Sequence, residues 1–173
     1  MARRGQSQST SLSIQRKIER ALSLHDTWEA SLRHDPNIFA LLEKLQRDIE
    51  RTKNAMVALG VVAECKHCEE VEGGSCCGVG IENRYDEILL LINLLLGVSL
   101  PTRAQCANSC YLLGKDGCTL AARHVLCVNY ICSKLRRRLS RDELMKLQTC
   151  AGEELNTEFV LHEAVKKRLR AAR

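Results

Sequence analysis

Residues 32–45, LRHDPNIFALLEKL, hold the end of one helical pattern, a turn and the start of another. Asp35 can accept hydrogen bonds from the first free amides of a helix, and Pro36 suits the first helical position, where no backbone N–H is required. On the amino-terminal side, Ile14, Ile18, Ala21, Leu22, His25, Trp28 and Leu32 recur every three or four residues, which predicts an amphipathic helix from Leu12 to Arg33. On the other side, Ile38, Leu42, Leu45, Ile49, Met56 and Leu59 carry one stripe through a second helix, Pro36 to Ala63. Two helices joined by so short a turn form an antiparallel hairpin. His25 on the stripe and His34 at the turn are read as structural, because a lone histidine brings no ligand geometry with it.

The rest of the chain continues in the same style. ILLLINLLLGV, residues 88–98, is the most apolar stretch. Its eleven residues fall short of the roughly 20 that cross a bilayer, so it reads as the centre of a buried helix spanning Ile81 to Val98, with no membrane involved. In SKLRRRLSRDEL, Ser140 and Glu143 have the spacing of a capping box and mark a helix start at about Arg141. Leu144, Leu147, Ala151, Leu155, Phe159, Val165 and Leu169 extend that helix to near the end, where Lys166, Lys167, Arg168 and Arg170 suit the negative pole of its dipole. No β-alternation appears. The expected fold class is mainly α, a helical bundle with a cysteine-rich metal-binding loop region. Residues 1–11 read as a disordered basic tail and 12–173 as a single helical domain, with the metal-binding core at 64–135.

Cysteine usage separates the middle of the chain from its flanks. Nine of ten cysteines lie between Cys65 and Cys132, and the first of them crowd into CKHCEEVEGGSCC, residues 65–77. MARRGQSQSTSLS at the amino terminus has no apolar run behind it, so the expected compartment is the cytoplasm, where thiols stay reduced. Reduced thiols gathered in glycine-rich segments point to metal ligation, since each zinc or iron centre takes about four ligands and Cys65 and Cys68 have chelating spacing. A dithiol redox role needs a CxxC that opens a helix in a βαβ setting, and a Cys–His nucleophile using His67 or His124 lacks an oxyanion or base context. No catalytic residue is assigned, and the chain reads as a binding protein rather than an enzyme.

The motifs run as CxxC (Cys65, Cys68), then CC (Cys76, Cys77), then a helix from Ile81, then CYLLGKDGCTL (Cys110, Cys118), Arg123 and CVNYIC (Cys127, Tyr130, Cys132). In this order they resemble the YkgJ-type cysteine-cluster family, whose members are described as zinc- or iron-chelating domains. The resemblance covers about residues 64–135 and implies eight ligands: Cys65, Cys68, Cys76, Cys77, Cys110, Cys118, Cys127 and Cys132. Two features depart from the family pattern. Seven residues separate the CxxC from the CC, and Arg123-His124 stands where the family has Arg-Pro, which offers His124 as a nitrogen ligand. Cys106 and Cys150 fall outside the pattern, and Cys150 reads as a small buried hydrophobe. Some relatives are linked to lysine methylation of flagellin, but no glycine-rich cofactor fingerprint accompanies that here.

Eight thiols equal two closed four-thiolate zinc sites, or one cubane cluster with four thiols over; counting leans to zinc and keeps the iron–sulfur cluster as the alternative. Three functions follow: a metal-stapled module that recruits an unidentified protein partner, an iron–sulfur protein of electron transfer or protein modification, and a nucleic-acid-associated protein. The last would use Lys134, Arg136, Arg137, Arg138 and Arg141 along the phosphates. A net charge of only +5 and aromatic content of 3% favour a solvated helix face instead, because unspecific single-strand binding needs several stacking rings.

Overall fold

The computed structural model describes residues 5–171 apart from 73 and 75, and residues 5–13 by their backbone alone. The chain is mainly α. Helix α1 spans Gly5–Arg33, α2 Pro36–Ala58 and α3 Val61–Val71. A 3₁₀ turn at Ile81–Arg84 leads into α4, Glu87–Leu95. A minimal antiparallel hairpin follows, β1 Leu113–Gly114 with β2 Gly117–Cys118, pairing Leu113 with Cys118. Helices α5 (Val125–Asn129), α6 (Ser133–Arg138) and α7 (Arg141–Arg170) complete the fold. No described helix is long and apolar enough to cross a membrane.

Caps fix several of these boundaries. Asp35 accepts from the amides of Asn37 and Ile38, with Pro36 behind it, as the sequence predicts. Asp86 caps α4 in the same way, so the helix expected from Ile81 begins only after a 3₁₀ turn. Ser140 and Glu143 form the reciprocal capping box of α7. Two boundaries differ from expectation. The helix expected to run from Pro36 to Ala63 breaks at Gly60, whose φ of +67° a residue with a Cβ rarely adopts. A Cβ there would also meet the Arg138 guanidinium at 2.8 Å. At the amino end, helix extends to Gly5 where a disordered tail was expected at residues 1–11. Once nucleated, each added residue brings a hydrogen bond, and neither proline nor glycine interrupts residues 6–13. Residues 1–4 lie outside the described residues.

Helix α7 runs antiparallel along α2, Lys44 facing Thr157 and Arg51 facing Glu153, while α1 runs parallel to α4 from Lys17 beside Asn83 to Arg33 beside Leu95. The larger core joins Ile14, Ile18, Leu42 and Leu45 to the α4 leucines, Tyr111–Leu113, Leu161 and Val165. A smaller core at the other end of α2 gathers Met56, Val61, Ile131, Leu135, Leu139 and Leu147. Between them α2 and α7 bury Asp48, Thr52, Glu154, Thr157 and Glu158. The inward face of α7 is therefore Leu147, Ala151, Glu154, Glu158, Leu161 and Val165, a true 3.6-residue stripe with two acids in it. Phe159, assigned to the stripe on apolarity, is 66% exposed.

One buried amide ties the leucine helix to the segment behind the hairpin. Asn93 Nδ2 donates to the carbonyls of Leu89 and Ala122, and its Oδ1 accepts from the amides of Ala121 and Ala122. Asn93→Leu keeps the volume but strands three backbone groups, each worth about 1–3 kcal/mol when buried unpaired. Urea unfolding should show a loss of about 3 kcal/mol or more, and amide exchange should accelerate first in residues 121–132.

Candidate metal centre

Helix α3 carries the CxxC. Cys65 and Cys68, three apart on a helix, share a face. They therefore sit on a helix and not in the expected loop, because Gly60 restarts the helix and residues 61–71 hold neither proline nor glycine. The Cys76–Cys77 segment is stitched to the second half of the centre by backbone. The Cys110 amide donates to the Cys77 carbonyl at 2.8 Å, and Gly78 bridges to Ser109. Ser109 Oγ in turn donates to Glu69 of α3 at 2.6 Å, so one serine holds three segments together.

Cys118 lies on β2, Cys127 in the five-residue α5, and Cys132 is the residue that starts α6. Tyr85, 1% exposed, organises this side. Its hydroxyl accepts from the His124 amide at 3.1 Å and lies 3.8 Å from Cys127 Sγ. Sequence reasoning missed Tyr85 and Asn93. Their signals were modest: one of few aromatics, just before the leucine run, and one amide inside that run.

The thiols influence one another in two sets. Burial pushes the Cys65 thiol up, and the neighbouring Cys77, Cys132 and Cys68 add to the effect. Cys76 is pushed up chiefly by its hydrogen bond with Cys77, then by burial and by Cys65 and Cys132. On the other side burial takes Cys110 up to about 12, with Glu82, Cys118 and Cys127 contributing, and raises Cys118 and Cys127, each of which also feels Cys77. By this mutual influence Cys65, Cys68, Cys76 and Cys132 form one set and Cys110, Cys118 and Cys127 another, with Cys77 acting on members of both. Among the described residues, no three histidine, cysteine, aspartate or glutamate side chains are placed so that they could hold a metal ion.

Cys106 packs against the larger core, as Cys77, Cys118 and Cys127 do, and Cys150 against the smaller one, as Cys65 and Cys132 do. His124 caps α5 by accepting the Leu126 amide on Nδ1, which gives that nitrogen a structural task. His34 bonds the Ala30 carbonyl, and His25 lies 3.6 Å from Glu29. The basic stretch is largely engaged within the molecule. Lys134 pairs with Glu72 and reaches Cys68 Sγ at 3.5 Å, Arg136 donates to the Ile131 carbonyl, and Arg138 binds the Leu59 carbonyl and Glu64. These contacts dock α6 onto α3. The Lys134 hydrogen bond is the chief reason the Glu72 carboxyl is held below its ordinary value.

No family model matches the chain, and neither a curated protein nor a solved structure matches it.

Tyr85→Phe keeps the ring and removes the acceptor for the His124 amide. We expect a loss of about 1 kcal/mol in urea unfolding. Alkylation of Cys127, followed by mass spectrometry, should accelerate more than that of Cys150; equal acceleration at both would show that the hydroxyl does not hold the α5 thiol.

Proposed function

We propose that this is a thiolate metal-binding protein that takes up two zinc ions, one in each cysteine group, as a stapled interaction module of the YkgJ type. The observation that carries the reading is that thiols from segments far apart in sequence act on one another: Cys65 feels Cys77 and Cys132, and Cys110, Cys118 and Cys127 are raised partly by their neighbours among the same cysteines. The donor set fits a soft or borderline-soft divalent ion, and four thiolates close a tetrahedral shell with no open position, which suits a structural role. The crowded, half-buried thiols repel one another once ionised, and a bound cation relieves that repulsion. With Cys77 completing the second set of four, the metals would lock α3, the hairpin, α5 and the head of α6 into one block, leaving exposed Val125, Leu126 and Tyr130 for the partner.

Elemental analysis and an absorption spectrum of protein purified without oxygen test the reading. Two zinc ions per chain and no visible absorbance are expected; a brown protein with stoichiometric iron would replace zinc by a cluster, and metal-free protein that takes up neither would end the proposal. Cys65→Ser or Cys68→Ser should remove one equivalent, and Cys77→Ser, Cys118→Ser or Cys127→Ser the other. Cys150→Ser should leave the content unchanged.

The raised thiol values give a second prediction. At pH 7 Cys65, Cys110, Cys118 and Cys127 hold their protons, so zinc uptake must expel them. Calorimetry in buffers of different ionisation enthalpy should show several protons released per zinc, with affinity rising as pH increases. For the metal-free protein the sign is reversed. Groups whose folded value is raised stabilise the fold below their unfolded value and lose that contribution as pH climbs, so stability should fall above about pH 9 toward 12 and be protected by zinc.

A further inference from the structure

A cavity of about 400 Å³ opens on the face of the molecule where the heads of α4 and α5 meet α7. Its size is that of a small-molecule site, in which apolar walls surround a few polar groups. The walls here are Leu89, Val125, Leu155 and Phe159, and the polar groups are Arg84, Asp86, His124, Glu158 and His162. None of these residues is one of the eight thiol ligands.

The polar groups differ in what they have left to offer. Asp86 and His162 are satisfied by each other: Nε2 lies 2.9 Å from Oδ2, and Asp86 Oδ1 also accepts two backbone amides at the head of α4. His162 Nδ1 faces Glu163. The remaining three are open. His124 accepts the Leu126 amide on Nδ1, so in its neutral form the proton sits on Nε2 as a donor. Arg84 is exposed and makes no ion pair or side-chain hydrogen bond with any described residue. Glu158 lines the cavity, is only 9% exposed, and its Oε2 is buried with no hydrogen-bond partner among the described residues. A carboxyl buried at a cavity wall with an oxygen unpaired is costly to ionise and gains from any partner the cavity brings to it.

We infer that this cavity binds a small organic anion, a carboxylate on a short branched apolar body. The anion's charge faces the Arg84 guanidinium, its oxygens accept from His124 Nε2–H and from the Glu158 hydroxyl, and the apolar body lies against Leu89, Leu155 and Phe159. A cationic ligand fits the same cavity poorly, because the Asp86 carboxylate is already engaged by His162 while Arg84 has no acidic partner among the described residues. A metal ion fits poorly as well, since the Asp86 oxygens, His162 Nε2 and His124 Nδ1 already have partners.

Glu158 makes the proposal pH-sensitive with a defined sign. Burial, reinforced by Glu154 and Asp86 and opposed by His162 and Arg123, raises its carboxyl to about 8, so at pH 7 it carries the proton that an incoming anion needs. Burial, with Arg84 adding to it and Asp86 opposing, lowers His124, which keeps that ring neutral. Above pH 8 Glu158 ionises, loses its donor and repels the anion.

Calorimetry and saturation-transfer NMR on the full metal-loaded chain, with 4-methylpentanoate, its amide and 3-methylbutylamine as probes, test this directly. The carboxylate should bind saturably at pH 7, at least tenfold more tightly than the amide or the amine, and should weaken about tenfold between pH 7 and 9. Arg84→Gln, a change at an exposed side chain, should weaken it at least tenfold without altering metal content. Glu158→Gln retains a donor, so it should bind at pH 7 and lose the pH dependence. Failure of the carboxylate to bind, tighter binding of the amine, or indifference to Arg84→Gln would each overturn the inference. Metal content is read separately, so neither result is confused with the fate of the zinc proposal.

Discussion

The Asn93 side chain is the constraint from which the rest of the middle region follows. It lies fully buried in the most apolar helix of the chain and makes four hydrogen bonds, three of them to residues 121 and 122. An amide transferred from water into such surroundings is unfavourable unless all its donors and acceptors are met. The segment after the hairpin meets them in one register only. That register fixes where Arg123 emerges, where His124 reaches the Tyr85 hydroxyl and where α5 begins, and so where the Cys127 thiol lies. A leucine at 93 would fill the same space and specify none of this.

The interface of α2 with α7 buries acids in two chemically different ways. Asp48 is 3% exposed, but Lys44, Thr157 and Arg51 all donate to it. Burial alone would raise its carboxyl, and those donors outweigh the burial and hold it below the ordinary value. Glu154, a turn before the Thr157 that donates to Asp48, has only Thr52 as a hydrogen-bonding influence, and Glu158, one residue after Thr157, has none; burial raises both. Arg123 acts on both glutamates and on Cys118 and Cys127, so a single cation lies between the acid row and the second thiol group. This polar layer also divides the hydrophobic interior into its larger and smaller parts.

Thiols are brought together here by backbone pairing more than by their own attraction. Cys110 to Cys77, Gly78 to Ser109 and the two-residue hairpin are main-chain contacts, and Ser109 to Glu69 adds the link to α3. Lys134 supplies positive charge at the edge of the first group, beside Cys68. On the other side Arg123 lowers Cys118 and Cys127, and burial outweighs it there as it does at Cys65.

The helical class, the cap at Asp35-Pro36 and the capping box at Ser140 were all legible in the residues, because each is a local rule. Caps act within three residues and amphipathic stripes within a few turns. That α1 pairs with α4, and α2 with α7, was not legible in the same way. The break at Gly60 was within reach, had a glycine in a helical run been read as a stop. The inward turning of Glu154 and Glu158 was not, since acids are assigned outward unless a partner is known. Nor was the division of the thiols into two sets with Cys77 acting on members of both, or the cavity lined by Arg84, His124 and Glu158. These belong to contacts between residues tens of positions apart, and only the packing of α7 on α2 and the register set by Asn93 bring those residues together.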